Sequence, residues 1–201
     1  LKASALRRPP SRGRRVSKRK TITQYAALPF ALKNGQPRVM LVTSRGKGRW
    51  IIPKGWPEKD LTPHACAAKE AYEEAGIVGR IGESPLGTYR YKKRLSSGAM
   101  TTFKVEAYLL EVERQLKDWP EKGQRVTRWM APARAARLVG EDGLVQLLLR
   151  LDVPPGRRRR RLLRWPGRRS ARSAGLDRTL AGLLAGIARL GKLLKRPKRR
   201  S

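Results

Sequence analysis

One cysteine and one histidine in 201 residues remove several options at the outset. With Cys66 alone, no disulfide can close within the chain, which agrees with a reducing compartment and an expected location in the cytoplasm. Cys66 reads as a small residue tucked into a helix. His64, the sole histidine, reads as a surface residue and not as a catalytic base. No apolar run approaches the ~18–20 residues of a membrane-spanning helix. Acid is scarce too: 15 Asp and Glu stand against 48 Lys and Arg, a formal net charge of +33.

The excess is not evenly spread. Residues 1–20 hold nine Lys/Arg and no acid, and residues 154–201 hold seventeen with only Asp177 opposing them. The middle, 21–153, keeps 22 basic and 14 acidic residues and reads as a single moderately basic domain. The first segment reads as a basic disordered arm, although a transit peptide shares its Arg-rich, acid-free composition. After Pro154-Pro155-Gly156 come five consecutive arginines, Arg157 to Arg161, and then a Leu/Ile repeat at helical spacing over 176–194. Gly182, Gly186 and Gly191 each weaken that helix by about 1 kcal/mol. Such cationic runs bind nucleic acid or an anionic membrane surface through counterion release. Oligomeric state leaves no signature.

Within the middle, Gln24 to Leu32 reads as a strand, Asn34-Gly35 as a hairpin turn and Val39 to Val42 as the returning strand. Trp50 to Pro53 reads as a short buried strand. Thr62 and Pro63 open a helix, as cap and first residue, and Gly76 is suited to close it in a left-handed conformation. Thr88–Leu95 and Thr101–Glu113 read as strands joined at Ser97-Gly98. In the second, Phe103, Val105, Ala107 and Leu109 face the core, with Lys104, Glu106 and Tyr108 outward. Val126–Met130 reads as strand, with Trp129-Met130 as core packing, and Pro132–Leu138 and Leu144–Leu151 as helices. The fold class expected is α+β, with helices covering a mixed sheet.

The chemistry concentrates on the helix from Pro63. At about 100° per residue, Glu70, Glu73 and Glu74 fall within an arc of roughly 100°. Three like charges on one face repel by a few tenths of a kcal/mol per pair. A hard divalent cation offsets that, and oxygen ligands suit Mg²⁺ or Mn²⁺. A solvated acidic face is the plain alternative, but this cluster sits in a basic domain. It also directly follows Trp50-Ile51-Ile52-Pro53-Lys54-Gly55, which can bring a carbonyl and a lysine beside it.

Gly55, Glu70, Glu73-Glu74, Gly76 and Ile77 together resemble the Nudix box, G-x5-E-x7-R-E-U-x-E-E-x-G-U with U aliphatic. Residues 49–57 are similar to those of bacterial relatives of the diphosphoinositol polyphosphate phosphohydrolases. The resemblance spans about 23–152 and implies a Nudix-type α/β/α sandwich. It further implies Mg²⁺ or Mn²⁺ held by Glu70, Glu73, Glu74 and the Gly55 carbonyl. The activity implied is cleavage of a pyrophosphate bond, with Glu74 taking the proton from water. Leu61 replaces the family's Glu and Lys69 its Arg, and Asp60 or Glu58 is expected to replace the missing carboxylate.

Cations for the substrate phosphates are expected from Ser44-Arg45, Arg49 and Lys54, and from Arg90, Lys92 and Arg94 on one strand face. Their convergence implies a highly anionic substrate: a diphosphoinositol polyphosphate, a dinucleoside polyphosphate or inorganic polyphosphate; the resemblance itself also implies nucleoside-diphosphate-linked compounds. The rival expectation is a nucleic-acid-binding protein on a weakly active or inactive scaffold of this kind. Between the two lies an RNA 5′-end pyrophosphohydrolase.

Overall fold

A computed structural model describes residues 21–152; the basic arm, the arginine run and the helix expected at 176–194 lie outside the described residues. Eight strands form one mixed sheet: β1 (Thr21–Lys33), β2 (Gln36–Thr43), β3 (Trp50–Ile51), β4 (Lys54–Gly55), β5 (Ile77–Ile81), β6 (Gly87–Arg94), β7 (Met100–Gln115) and β8 (Thr127–Met130). Three helices accompany them: α1 (Pro63–Ala75), α2 (Pro132–Ala136) and α3 (Asp142–Leu151). The central path runs β3-β2-β1-β7-β5, with β4 on β1, β6 on β7 and β8 on β2. Among the strands of the described residues only β1 and β7 pair in parallel, from Thr21 opposite Thr102 to Phe30 opposite Glu111.

The sheet is covered on both faces. Leu28, Phe30, Val39, Leu41, Val105 and Ala107 meet α2 and α3 on one side. Ala27, Met40, Val42, Tyr108 and Leu110 meet the alanine face of α1 on the other. That is why Ala26 to Phe30 is a continuous buried run and not an alternating one: central strands between two helical layers bury both faces.

One outward and one inward assignment are corrected. Tyr108 is only 3% exposed, because α1 covers the face that strict alternation would leave to water. Trp129 is 36% exposed while its neighbour Met130 is buried, since β8 sits outside β2 and has one face against the core. Strands β4 and β5 are additions. Each is too short for a period to be legible, and each is defined by its partner, β1 and β7 respectively.

Helix α1 begins and ends where expected. The Thr62 side chain accepts a hydrogen bond from the Ala65 N–H, and Gly76 closes the helix at φ 67°. The close passage of Trp119 reinforces that glycine, because a Cβ at Gly76 would lie 2.6 Å from the indole ring. The loop carrying Trp119 connects β7 to β8, and the Glu121 N–H donates to the Glu73 carbonyl, tying that loop to the end of α1.

Candidate active site

Strand β4 places Gly55 beneath α1, opposite Tyr25 of β1. A Cβ on Gly55 would collide with the Glu70 carboxylate, so the glycine is a cradle for that side chain. Burial, followed by the charge of Glu73, pushes the Glu70 carboxyl up to about 7. One helical turn on, Glu74 is buried at 5% exposure, and burial likewise pushes its carboxyl up to about 7 against the pull of Arg125. Its Oε1 accepts from Arg125 Nη2 at 2.5 Å, whereas its Oε2 is buried without a hydrogen-bond partner.

Glu73 is held differently. Lys69 Nζ lies 2.9 Å from Glu73 and 2.8 Å from Glu58. Burial lowers the Lys69 pKa, but these two hydrogen bonds outweigh it and push the value up to about 12. Of the two expected substitutes for the missing carboxylate, Glu58 takes the place and Asp60 does not. The 58–61 turn is itself fastened, by the Leu61 N–H donating to the Glu58 carbonyl at 3.3 Å and the Glu58 N–H to Cys66 Sγ at 3.4 Å. The consequence of Leu61 for geometry is therefore small: a carboxylate three residues earlier in the chain reaches the same lysine.

Among the described residues, no three acidic, histidine or cysteine side chains stand as a ready-made metal cage. Glu73 faces Lys69 and Glu74 faces Arg125 in this arrangement. The donor set nevertheless fits a divalent cation. It contains an orphaned buried carboxylate oxygen, a second carboxylate seated on a glycine that admits no side chain, and burial that pushes both carboxyls up to about 7.

Two residues absent from the sequence reading join this centre. Arg125, with its side chain 6% exposed, bridges Glu74, Glu121 at 2.6 Å and the Thr43 carbonyl at 3.0 Å. Glu121 in turn pairs with Arg45 at 3.4 Å. The available signal was the eleven-residue connection 116–126, longer than a bare link between two strands requires.

The expected cations divide. Arg45 pairs with Glu121, which Arg125 links to Glu74. Ser44 is occupied in its own turn, where its Oγ accepts from the Arg49 N–H at 3.0 Å. Arg94 is drawn into the hairpin, donating to the Gly98 carbonyl at 3.0 Å, and so leaves the set. Arg49, Arg90 and Lys92 converge instead on a cavity of about 490 Å³. Lys54 stands between the two regions. Burial lowers its pKa to about 8, against the pull of Glu74 on one side and Glu141 on the other. Its Nζ lies 5.9 Å from the centroid of the Tyr91 ring, and Tyr91 lines that cavity. Tyr91 is locked by stacking on Phe103 and by donating to Gln24 Oε1 at 2.7 Å.

The family model for the NUDIX domain matches residues 23–150. The chain belongs to the Nudix family. Nudix hydrolase 12, mitochondrial, of Arabidopsis thaliana is 34% identical over 103 residues, 50% of this chain and 51% of that protein. Diphosphoinositol polyphosphate phosphohydrolase 2 of Rattus norvegicus is 31% identical over 96 residues, 48% of this chain and 49% of its own. The chain thus spans about half the length of the curated relatives it matches. The MutT protein from Methanosarcina mazei Go1 has the same fold at TM-score 0.52 and 17% identity, covering 68% of this chain and 96% of its own. With the family established, α1 is the Nudix helix and Gly55–Ile77 is its box, altered at Leu61 and Lys69.

Proposed function

We propose that this Nudix protein is a Mg²⁺- or Mn²⁺-dependent hydrolase that splits a pyrophosphate bond in an anionic substrate. The substrate class is nucleoside-diphosphate-linked, dinucleoside polyphosphate or diphosphoinositol-type. The observation that supports this most is the pairing of the Glu70 carboxylate on Gly55 with the unpartnered buried oxygen of Glu74. A buried acceptor without a donor costs about 1–3 kcal/mol, and a cation removes that cost.

Glu70, Glu73, Glu74 and the Gly55 carbonyl would hold the metal. When bound, it supplies charge screening of the phosphates and activation of water. Glu74 accepts the proton of the attacking water. Arg45, Lys54, Arg49, Arg90 and Lys92 orient the phosphates, and Lys54 connects the glutamate centre to the cavity. Catalysis then rests on positioning and electrostatics. The Glu58–Lys69–Glu73 arrangement favours an active enzyme over an inactive scaffold, because it keeps the charge pairing that Leu61 alone would have lost. The basic segments 1–20 and 154–201 are assigned to anionic surfaces, nucleic acid or membrane, and the domain to the cytoplasm. No helix among the described residues is long and apolar enough to cross a membrane.

The test is Mg²⁺-dependent phosphate release by the full chain from a panel of diphosphates, beside Glu73→Gln and Glu74→Gln. Each variant is expected to lose at least about a hundredfold in kcat, the scale of removing a proton acceptor or a charge stabiliser. Wild-type rates in both would place the chemistry elsewhere. Salt-sensitive RNA retention that vanishes on deleting 154–201, without hydrolysis by the full chain, would instead favour the binding protein.

A further inference from the structure

The cavity beyond Lys54 is not uniformly cationic. Arg49 from the β2–β3 loop and Arg90 and Lys92 from β6 line it together with Glu141 and Asp142 at the start of α3. Its volume, about 490 Å³, is that of a small-molecule site. Arg49, Arg90 and Lys92 make no ion pair with any described residue, so all three guanidinium or ammonium groups are available to an incoming anion. Among the described residues, the carboxylates of Glu141 and Asp142 form no ion pair within 4.0 Å either.

Glu141 is the more informative of the two acids. It is the N-cap residue of α3, yet its side chain makes no capping hydrogen bond. Its Oε2 is sealed from solvent and has no hydrogen-bond partner. Its charge acts on Lys54, Tyr89 and Tyr91, so it faces the inner wall of the cavity and not its own helix. An ionised carboxylate accepts and never donates. A ligand group that hydrogen-bonds to the Glu141 carboxylate from the cavity must therefore bring an N–H or O–H. A fully ionised phosphate brings neither and adds like charge.

We propose that Glu141 is a specificity-determining residue, selecting substrates whose group beyond the diphosphate presents a hydrogen-bond donor there, as a nucleoside does, and rejecting those phosphorylated at that position. This rests on the cavity being the substrate end of the hydrolase site, and it narrows the three classes named above. A fully phosphorylated ring gains from three cations but meets two carboxylates in the same cavity. A nucleoside diphosphate places its phosphates towards Lys54 and the arginines and its sugar hydroxyls or base N–H towards Glu141.

The experiment is equilibrium binding to the full chain without metal, so that hydrolysis is not the readout. The probes are ADP, 2′,3′-dideoxy-ADP and inositol hexakisphosphate, against wild type, Glu141→Gln and Glu141→Lys. Glu141→Gln keeps the shape and removes the charge. It is expected to weaken ADP about tenfold, the difference between a charged and a neutral acceptor. The same change is expected to tighten inositol hexakisphosphate severalfold, and Glu141→Lys to tighten it further. If the wild type prefers ADP over the dideoxy form and Glu141→Gln loses that preference, the donor is the sugar. Equal weakening of both nucleotides assigns it to the base. Wild type that fails to bind ADP, or variants that shift ADP and inositol hexakisphosphate in the same direction or not at all, would overturn the proposal. The binding split in a protein that hydrolyses no diphosphate would sink the hydrolase reading alone and keep the assignment of Glu141.

Discussion

Arg125 is the residue whose removal tests the electrostatics of the centre most directly. Its side chain is 6% exposed and bridges Glu74, itself 6% exposed, to Glu121 and the Thr43 carbonyl. Arg125→Met keeps the apolar stem and deletes the charge, leaving two carboxylates facing each other in a half-dry loop. Breaking a buried pair from one side costs about 3–5 kcal/mol, so a loss of about 3 kcal/mol is expected when Glu74 is ionised. The pH dependence follows from the sign. Glu74 has a folded pKa of about 7, above the ordinary value of 4.5, and deleting Arg125 raises it further. Below pH 7 both folded proteins carry the proton, and the Glu74 share of the penalty disappears. Above the variant's own pKa that share is complete. Urea unfolding of wild type and variant at pH 8.5 and pH 5.5, without metal, reads this as a gap in unfolding free energy that is wide at the higher pH and narrow at the lower. A gap under 1 kcal/mol at pH 8.5, or one of the same size at both, would refute the reasoning.

Other consequences are measurable on the same protein. Gly55→Ala puts a methyl group where the Glu70 carboxylate lies, so Mg²⁺ affinity by calorimetry is expected to fall at least tenfold with the circular dichroism spectrum unchanged. Gly76→Ala sets an alanine at φ 67° against the Trp119 ring, which should cost about 2–3 kcal/mol in urea, the left-handed conformation supplying about 1–2 of it. Mg²⁺ binds the ionised glutamates, and Glu70 and Glu74 both titrate near 7, so its affinity should climb steeply from pH 6 to pH 8. In the absence of metal the same two groups hold more protons folded than unfolded between 4.5 and about 7, so stability should fall as pH rises through that window; a flat profile there would contradict the burial assigned to them.

The Nudix helix was legible in the sequence because its determinants are local. Thr62, Pro63, the alanines and Gly76 act within a few residues of one another, and three glutamates on one face follow from the helical period alone. The alternation of Phe103, Val105, Ala107 and Leu109 placed β7 for the same reason. Tertiary structure decided whatever depends on residues distant along the chain. That both faces of β1 and β7 are covered, burying Tyr108, depends on α1 crossing one side and α3 the other. That Glu58 and not Asp60 reaches Lys69 depends on a turn fastened to Cys66. Glu74 meets Arg125 across 51 positions of sequence, a pairing no periodicity can encode. Glu141, which no motif or spacing singles out, became a wall of the cavity when α3 packed beside β6. Spacing along a helix could announce a metal site, but which group the substrate must present is set by side chains that only folding brings together.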